Sequence, residues 1–379
     1  MIIYIPLENY ARELDGKILL AGYLANKGHT VIVGDQSLVR HIVYVIKCDI
    51  YIGKHLHLYP TPFNQEITTS LGFKKLKSWF FDLLKQKNVS TIYTEEEGDF
   101  SDSLEKSKKN LLHQCDPLII QEDDYIATWG IDQARIFKNE PSSYPKNIIP
   151  VGNIRFDLYK DKYVDIYKDI SNQIVKDFGK FILINTNYSF ANNSTGVSGA
   201  FKETSVYSIN DDSLIESHAL RWEQQQDRFS RMIRLIFLLS IRFKNLNIVV
   251  RPHPGEAKST YLEIFKGIKN IFIKKSGSVG PWLKACELLI HDGCTTGLEA
   301  NLMGKNIIAF SPINPAVSMS SNGGLYDIGT IEKEIKNVLK LVEIITTDKT
   351  YNYRHKRLES MIPKLNNLKD DNYSVDILG

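Results

Sequence analysis

The 379-residue sequence lacks the short motifs that mark several large enzyme classes. It contains no G-x-G-x-x-G turn for a dinucleotide and no G-x-x-x-x-G-K-(S/T) loop for P-loop ATP hydrolysis. A G-x-S-x-G elbow, which would indicate a serine hydrolase, is also absent. No D-x-D follows a predicted strand where it would suit a metal-bound diphosphate. The sequence therefore gives no reason to expect a bound metal ion or an organic cofactor.

Cysteine, excess charge and long apolar runs are scarce as well. The four cysteines form neither a C-x-x-C pair nor a zinc-type array with histidine, which favours free thiols in a reducing compartment. The formal net charge is only +3, without the basic clusters and interleaved aromatics typical of nucleic-acid binding. No run of about 18 apolar residues could span a membrane, and Met1–Pro6 is too short for a signal peptide. We expect a cytoplasmic protein that binds no nucleic acid.

What the sequence does contain is an alternation of short β-branched runs with longer amphipathic stretches. Ile2–Ile5 predicts a strand, Glu13–Lys27 a helix that ends at Gly28, and Thr30–Val33 the next strand. This βαβ opening indicates a parallel sheet covered by helices. Further strands are predicted at Ile42–Ile46, Thr91–Tyr93, Leu118–Ile120 and Tyr125–Thr128, and a further helix at Leu71–Gln86.

A second series of alternating elements follows a polar, largely helical connector over residues 157–178. Its predicted elements are strands at Phe181–Ile184, Ile248–Val250, Ile271–Ile273, Leu288–Ile290 and Ile307–Phe310, a helix at Leu220–Phe243 and a loop at Asn192–Asp212. Because 379 residues exceed one ordinary core, we predict an α/β protein with two Rossmann-like domains, over residues 1–155 and 156–350, and a helical tail over 351–379. The carboxyl ends of the two parallel sheets would face an interdomain cleft, where such sheets bind ligands.

The first candidate for chemistry is the R-P-H-P run that follows the strand Ile248–Val250. Pro252 and Pro254 fix their own φ angles and restrict the residue before each, so His253 lies in a stiff loop. A rigid imidazole there can donate to a phosphate oxygen or protonate a leaving group, and Arg251 can add a charge-assisted contact. The alternative is a loop histidine that only caps the strand end.

The second candidate is the turn that follows the strand Leu288–Ile290 and opens a helix. Gly293 lets a ligand approach the backbone, Thr295 and Thr296 offer hydroxyl donors, and the helix start offers unpaired N–H groups to a phosphate. Glu299, about one turn into the helix, could accept hydrogen bonds from ribose hydroxyls. A compatible alternative is a capping box with Thr296 as N-cap and Glu299 as its partner.

The third candidate is the acidic run Glu95–Glu97, which follows a predicted strand and precedes Gly98. Adjacent like charges raise one another's pKa and favour one protonated member, which suits a general base or a carboxylate nucleophile. Glu96 and Glu97 are the catalytic candidates, together with His253. The alternative is a solvated acidic loop.

Weaker signals lie at other strand ends and at the domain junction. Asn185 and Asn187 follow the first strand of the second half and suit a phosphate or a sugar, although they could simply satisfy loop backbone. Four charged residues complete the candidates: Glu8, Arg12, Arg155 and Asp157. The first two follow the first strand and would line the acceptor side of the cleft or form a surface ion pair. The last two lie at the junction, where we favour a hinge over a substrate contact.

Taken in order, these motifs resemble the bacterial surface carbohydrate biosynthesis proteins. The resemblance covers most of the chain and rests on six runs: Arg12–Lys17, Glu96–Gly98, Gly152–Asp157, Asn185–Asn187, Arg251–Pro254 and Gly293–Ala300. More distantly, the acidic pair before a glycine, the His-Pro pair and the threonine pair resemble GT-B transferases that use CMP-sugars, namely bacterial sialyltransferases and Kdo transferases. Two departures are Ile154, where the family's junction motif has proline, and glutamate where related enzymes often have aspartate.

The resemblance implies a GT-B glycosyltransferase of surface polysaccharide (LPS O-antigen or capsule) that transfers Kdo or a related ulosonic acid from a CMP-sugar to a glycan acceptor. It implies that the first domain binds the acceptor and the second the nucleotide. By the same resemblance, Glu96 or Glu97 supplies the catalytic carboxylate, and His253, Thr295 and Thr296 hold the CMP phosphate. A lipid-linked acceptor would bring the protein into peripheral contact with the inner membrane.

Three other functions stay open at this point. One is a nucleotide-sugar 2-epimerase, which uses a similar cleft and similar anion-binding turns. The second is a CDP-glycerol or CDP-ribitol phosphotransferase, which shares the strand followed by R-P-H-P. The third is a non-catalytic module that senses nucleotide. Retention or inversion of configuration at the transferred sugar is equally open.

Overall fold

The computed structural model describes residues 1–54, 66–68, 74–76, 79–96, 98–101, 103–115, 121–140, 145–196, 201, 212–312, 325, 328–348, 361–368 and 372–379. The chain folds into two compact units. The first comprises Met1–Tyr163 and Arg357–Gly379, and the second comprises Val164–Lys356. Among the described residues, no helix combines the length and the hydropathy needed to cross a membrane.

The division between the units differs from the predicted one at residue 155, and the C-terminal segment is part of the first unit rather than a separate tail. Asp157 explains the difference. Its carboxylate accepts hydrogen bonds from Asn367 Nδ2 (2.6 Å) and from the backbone N–H of Val375 (2.9 Å). These bonds tie the start of the predicted second domain and the end of the chain to the first unit.

The first unit contains a six-stranded parallel sheet with flanking helices. Its strands are β1 (Ile2–Leu7), β2 (Thr30–Asp35), β3 (Ile50–Gly53), β6 (Ser90–Thr94), β7 (Tyr125–Thr128) and β8 (Ile148–Pro150), with β4 (Glu66–Thr68) and β5 (Lys74–Leu76) as a separate antiparallel pair. Its helices are α1 (Tyr10–Asn26), α2 (Gln36–Val45), α3 (Trp79–Gln86), α4 (Leu104–Gln114), α5 (Ile131–Lys138) and α6 (Ile154–Asp157), with a short C-terminal helix at Ser374–Leu378. The strands are ordered β2-β1-β3-β6-β7-β8 and are all parallel, and the order in which the chain adds strands switches from one side of the sheet to the other between β1 and β3.

The second unit contains another parallel sheet, with the strand order of a dinucleotide-binding fold. Its strands are β9 (Phe181–Asn185), β10 (Asn247–Arg251), β11 (Ile271–Ile273), β12 (Leu288–His291), β13 (Asn306–Phe310) and β14 (Thr330–Glu332). Its helices are α7 (Lys168–Phe178), α8 (Asp212–Arg242), α9 (Lys258–Ile264), α10 (Gly280–Ala285), α11 (Thr296–Leu302) and α12 (Ile335–Thr347). The order β11-β10-β9-β12-β13-β14 is the 3-2-1-4-5-6 pattern, so the strand order reverses between β9 and β12.

The core of the second unit lies between this sheet and α8. Ile182, Ile184, Ile248 and Ile290 are fully buried, and Leu235 is among the α8 residues that pack on them. Each such side chain contributes about 1.5–3 kcal/mol when it leaves water. Strands buried on both faces read as continuous apolar runs, which is why the sequence predicted them correctly.

Nine predicted strands are confirmed to within two residues. They are Ile2–Ile5, Thr30–Val33, Thr91–Tyr93, Tyr125–Thr128, Phe181–Ile184, Ile248–Val250, Ile271–Ile273, Leu288–Ile290 and Ile307–Phe310. The long helix predicted at Leu220–Phe243 is α8, which begins eight residues earlier, at Asp212. Leu118–Ile120 and most of the predicted loop Asn192–Asp212 lie outside the described residues.

The prediction of a strand at Ile42–Ile46 is wrong, because this run forms the end of α2. Asp35 caps the helix by accepting hydrogen bonds from two backbone N–H groups of the first turn (2.8 and 3.3 Å). Val39 and Val43, four residues apart, are buried on one face. The helical spacing of buried positions outweighs the β propensity of the run.

The helix predicted at Leu71–Gln86 is likewise shorter in the structure. Of its described residues, Trp79–Gln86 is helical, whereas Lys74–Leu76 pairs antiparallel with Glu66–Thr68.

Candidate functional site

Three strand ends meet at the switch point of the second unit's sheet. Asn185, the last residue of β9, is in register with Arg251 of β10 on one side and His291 of β12 on the other. Open α/β sheets bind ligands outside the carboxyl ends of their strands at such a switch point. The R-P-H-P run, the Asn-Thr-Asn turn and the threonine-bearing turn therefore begin at the same level of neighbouring strands.

Side chains from the loop after β9 connect it to both neighbouring loops. Thr186 Oγ1 donates to Glu256 Oε1 (2.7 Å), at the end of the R-P-H-P loop. Asn187 Nδ2 donates to the carbonyl of Gly293 (3.4 Å), in the turn after β12. The predicted binding residue Asn187 thus joins the loop after β9 to the turn after β12, and its predicted contact with phosphate or sugar stays a prediction.

Glu256 organises the R-P-H-P loop from within the core. Its carboxylate is fully buried and accepts hydrogen bonds from the backbone N–H of His253 (3.0 Å), from Thr186 Oγ1 and from the Tyr261 hydroxyl. Burial raises the pKa of Glu256, although these donors oppose the shift. No role was predicted for Glu256, yet its contacts hold the R-P-H-P loop against Thr186 and Tyr261.

The His253 ring has a defined tautomer. The backbone N–H of Gly255 donates to His253 Nδ1 (3.1 Å), so the neutral ring carries its proton on Nε2. The side chain is half-buried. An Nε2–H held in a stiff loop has the chemistry of a donor to an anionic oxygen, which is the role predicted for His253.

The Arg251 guanidinium donates hydrogen bonds to backbone carbonyls of the protein. Nη1 donates to the carbonyl of Ser276 (3.1 Å), Nη2 donates to that of Gly277 (2.7 Å), and the group lies over the Trp282 ring at 5.3 Å. Burial lowers the pKa of Arg251 to about 10, which still leaves it charged at neutral pH. The structure thus makes Arg251 a residue that positions the loop over residues 276–277, and its predicted contact with phosphate stays a prediction.

The turn after β12 is built around a buried imidazole. His291 Nε2 donates to the carbonyl of Ile328 (2.7 Å), and its Nδ1 accepts from the backbone N–H of Cys294 (3.2 Å). Gly293 has φ of +60°, the left-handed conformation that favours glycine. A Cβ on Gly297 would lie 2.8 Å from the His291 ring, which is too close for a side chain. The first turn of α11 therefore needs glycine at position 297.

The predicted capping box at the start of α11 is wrong. The N-cap is Thr295, and it makes no side-chain cap hydrogen bond. The helix has only seven residues, so its dipole is a small contribution to anion binding. Glu299 is buried (2% exposed), and its predicted contact with ribose stays a prediction.

Two polar groups at this switch point are buried without a hydrogen-bond partner among the described residues. Both Oδ1 and Nδ2 of Asn185 are unbonded, although the residue is only 4% exposed. The hydroxyl of Thr296 is buried and unbonded too. Each such group costs about 1–3 kcal/mol unless a ligand or a water molecule supplies the partner.

A buried ion pair that the sequence did not reveal supports the same turn. Asp292 is fully buried and accepts from Arg228 Nε (2.8 Å) and from the Tyr188 hydroxyl (2.7 Å). A second contact joins Arg228 Nη2 to Asp292 Oδ1 at 2.6 Å. The two partners are 64 residues apart in the chain, and no short motif links them.

In the first unit, charged residues collect at the switch point between β1 and β3. Lys54 Nζ, after β3, lies 2.8 Å from Glu8 Oε2, after β1, and 3.3 Å from Glu95 Oε1, after β6. Glu8 therefore forms an ion pair with a buried lysine at the carboxyl edge of the sheet, and its predicted place on the acceptor side stays a prediction.

Glu13 and Lys17 extend this network into α1. Glu13 accepts from the backbone N–H groups of Glu8 (3.0 Å) and Asn9 (3.1 Å), and Lys17 Nζ lies 2.7 Å from its Oε2. Burial alone would raise the pKa of Glu13, but Lys17 and the backbone donors together hold it below its ordinary value. Arg12 lies 3.6 Å from the same carboxylate.

The two described glutamates of the acidic run, Glu95 and Glu96, each lie near a lysine. Glu96 Oε1 lies 3.4 Å from Lys17 Nζ, and its Oε2 accepts from Asn153 Nδ2 (3.2 Å). Glu95 faces Lys54 and also accepts from the Tyr93 hydroxyl (2.5 Å). Each lysine is shared with a second carboxylate, Lys17 with Glu13 and Lys54 with Glu8. Glu97, the other catalytic candidate, lies outside the described residues.

The junction residues are buried in the first unit. The Arg155 guanidinium lies over the rings of Phe156 (5.0 Å) and Trp129 (6.0 Å), and the residue is 4% exposed. Asp157 holds the C-terminal segment, and burial raises the pKa of its carboxyl. These contacts give both residues packing roles, and their predicted function as a hinge or substrate contact stays a prediction.

Gly98 lies directly against the indole ring of Trp129, and we expect alanine at this position to destabilise the protein. Its φ is +64°, which costs a non-glycine residue about 1–2 kcal/mol. An added Cβ would also lie 2.6 Å from the Trp129 ring. Gly28, with φ of +87° and no atom within 4 Å of an added Cβ, is the matched control. Thermal unfolding should show a larger loss for Gly98→Ala than for Gly28→Ala, and equal losses would contradict the Trp129 contact.

No protein family model matches the sequence, and no curated protein matches it either. The resemblance to surface carbohydrate biosynthesis proteins therefore stays a prediction at the level of family.

Solved structures share the fold over the full length of the chain. The UDP-GlcNAc 2-epimerase of Neisseria meningitidis, bound to UDP-GlcNAc, is 11% identical with a TM-score of 0.57 and covers 100% of this chain and 98% of that chain. The UDP-GlcNAc 2-epimerase of Methanocaldococcus jannaschii, in complex with UDP-GlcNAc and UDP, is 11% identical with a TM-score of 0.55, and the match covers 100% of this chain and 98% of that chain. The wall teichoic acid polymerase TagF, soaked with CDPG, is 11% identical with a TM-score of 0.54, and the match covers 100% of this chain and 86% of that chain. At this identity the likeness shows the fold, which is GT-B with two Rossmann-like domains, as predicted.

Proposed function

We propose that the chain is an enzyme of cell-surface glycan biosynthesis that acts on a nucleotide-activated donor, with the donor phosphate bound at the switch point of the second unit. The observation that carries the proposal is a pair of buried, unbonded polar groups: the amide of Asn185, at the end of β9, and the hydroxyl of Thr296, at the start of the helix α11 that follows the adjacent strand β12. Their donors and acceptors suit phosphate oxygens and the hydroxyl groups next to them. The names of proteins with the same fold, epimerases bound to UDP-GlcNAc and a polymerase soaked with CDPG, support a nucleotide donor.

The reaction that we propose is transfer of a sugar, Kdo or a related ulosonic acid, from a CMP-sugar to a glycan acceptor. The bond between the anomeric carbon and the phosphate oxygen breaks, and a bond to an acceptor hydroxyl forms. His253 Nε2–H, Thr295 and Thr296 would stabilise the negative charge on the departing phosphate. Glu96 or Glu97 would take the acceptor proton or, in a retaining reaction, attack the sugar. This finer assignment rests on the sequence resemblance.

A thermal-shift panel with CMP, CDP, UDP and GDP tests the proposal. A nucleotide that binds only the native state at 100 times its Kd stabilises it by about 2.7 kcal/mol, which raises the melting temperature. We expect one nucleotide of the panel to do so, and a response to CMP selects the CMP-sugar donor. A protein that melts at the same temperature with all four nucleotides contradicts the proposed function.

A second candidate function is a nucleotide-sugar 2-epimerase, which the fold similarity to two such enzymes favours. The two candidates differ in their need for an acceptor. Incubation with UDP-GlcNAc alone yields an epimeric nucleotide sugar if the chain is an epimerase, whereas a transferase leaves the donor intact apart from slow hydrolysis. Proton NMR of the anomeric region separates these results.

A further inference from the structure

A groove of about 340 Å³ runs between α4 and α5 in the first unit. Its described lining comes from both helices, from Asp99 and Ser101 in the loop after β6, and from Lys364 near the C-terminus. Sites for small molecules typically occupy about 300–1,000 Å³, so one or two sugar rings would fit. The groove takes no part in the contacts described above for the acidic run, although it begins three residues after Glu96.

The charges on the groove wall cancel in neighbouring pairs. Lys108 Nζ lies 2.8 Å from Glu140 Oε1, and Arg135 Nη1 lies 3.5 Å from Asp132 Oδ1. At the remaining end, Lys364 donates to the carbonyl of Ser101.

Asp99 lines the same end of the groove. Its carboxylate accepts from Ser101 Oγ (2.8 Å), from Asn110 Nδ2 (3.2 Å) and from the Ser107 hydroxyl. With three cationic and three anionic side chains in its described lining, the groove carries no net charge. It therefore offers no general attraction to an anion or to a cation.

The groove combines an apolar side with directional polar groups. Leu104, Leu111 and Ile136 line it together with the amides of Gln133 and Asn139. Gln133 is only 4% exposed, and its Nε2 has no hydrogen-bond partner among the described residues, while its Oε1 accepts from the backbone of Trp129 (2.8 Å). A buried amide donor in this position lacks the partner that a ligand hydroxyl would supply.

We propose that this groove binds an uncharged saccharide and is the subsite for the acceptor glycan. A sugar ring presents apolar C–H faces and a rim of hydroxyl groups, which matches a neutral wall of amides, paired ions and leucine side chains. The naming of the ligand as the acceptor rests on the proposed function, whereas saccharide binding in the groove stands on the lining alone.

Saturation-transfer NMR on the full chain tests the proposal with glucose, galactose, N-acetylglucosamine, maltose and lactose. We expect at least one of these saccharides to bind, and its Kd to stay within about twofold when NaCl is raised to about 0.5 M, because a neutral ligand is insensitive to screening. No binding by any of the five, or binding that salt abolishes, overturns the proposal.

Two tryptophan variants locate the bound saccharide. Leu104 is 73% exposed and lines the groove, so Leu104→Trp fills it without disturbing the core. Ile131, 52% exposed at the start of α5 and outside the lining, provides the matched Ile131→Trp control. We expect Leu104→Trp to weaken saccharide binding at least tenfold and Ile131→Trp to leave it unchanged. Equal binding by both variants overturns the proposal.

The nucleotide panel separates this inference from the proposed function. A chain that responds to nucleotide but binds no saccharide loses the groove assignment and keeps the donor site. A chain that binds saccharide in the groove but responds to no nucleotide keeps the saccharide site and loses the proposed function.

Discussion

Replacing Asn185 with leucine is expected to stabilise the ligand-free protein and to remove its response to nucleotide. Both polar atoms of this amide are unbonded in a side chain that is only 4% exposed. An apolar group of similar shape removes a penalty of about 1–3 kcal/mol, so the melting temperature without ligand should rise by several degrees. The same change removes the proposed phosphate contacts, so saturating nucleotide should add less than about 1 kcal/mol, against about 2.7 kcal/mol for the unchanged protein.

Asn270 offers the matched control for this variant. Its Nδ2 donates to the carbonyls of Ser240 (3.2 Å) and Leu246 (3.3 Å), so its amide is satisfied inside the protein. Asn270→Leu should lower the melting temperature and keep the nucleotide response, the opposite of Asn185→Leu on both counts. If Asn185→Leu also destabilises the ligand-free protein, its amide has a partner in solution, which contradicts the proposed phosphate contact.

Removing the cation from the buried pair beneath the same turn should have the largest effect on stability. Arg228→Met leaves the Asp292 carboxylate fully buried with only the Tyr188 hydroxyl, 2.7 Å away, as the neighbour described for it. An uncompensated buried charge of this kind costs about 3–5 kcal/mol. Urea unfolding followed by intrinsic fluorescence measures the loss.

Two further variants make this result specific. Arg231→Met breaks an exposed pair with Asp227 (3.1 Å), one turn along the same helix, and should cost less than about 1 kcal/mol. The double variant Arg228→Met with Asp292→Leu removes both charges and should recover much of the loss. A double variant no more stable than Arg228→Met would show that the pair contributes through packing rather than through charge.

Nine strands of the two sheets were predicted, most of them because burial on both faces leaves continuous apolar runs, as at Ile248–Val250 and Leu288–Ile290. The strands β3, β8 and β14 were not predicted. The polar residues that follow these runs were predictable as site candidates for the same reason, since the carboxyl end of a parallel strand is a defined place. Asn185 and Thr296 are the two whose structure adds an independent argument, because their polar atoms are buried and unbonded.

What the sequence could not reveal depends on contacts between distant segments. The Ile42–Ile46 run looks like a strand by composition, and only the burial of Val39 and Val43 on one face shows it to be helical. Lys17 also lies 3.4 Å from Glu96, 79 positions further along, a contact that opposes the repulsion expected between adjacent glutamates. Neither feature has a local signature.

The roles of the two arginines were unpredictable for the same reason. Arg251 follows a strand next to a histidine, as a phosphate ligand would, yet its donors bind the carbonyls of Ser276 and Gly277. Arg228 lies in the middle of a long helix with no motif around it, yet it neutralises the carboxylate under the candidate site. Local sequence reports the type of a side chain, and the tertiary fold decides which partner uses it.

A crystal structure of the protein with the nucleotide that stabilises it most tests the central claim directly. The account predicts a phosphate group within hydrogen-bond distance of the Asn185 side chain and the Thr296 hydroxyl, with His253 Nε2 turned towards the same group. A nucleotide bound elsewhere, with Asn185 and Thr296 bonded to protein atoms instead, would contradict it.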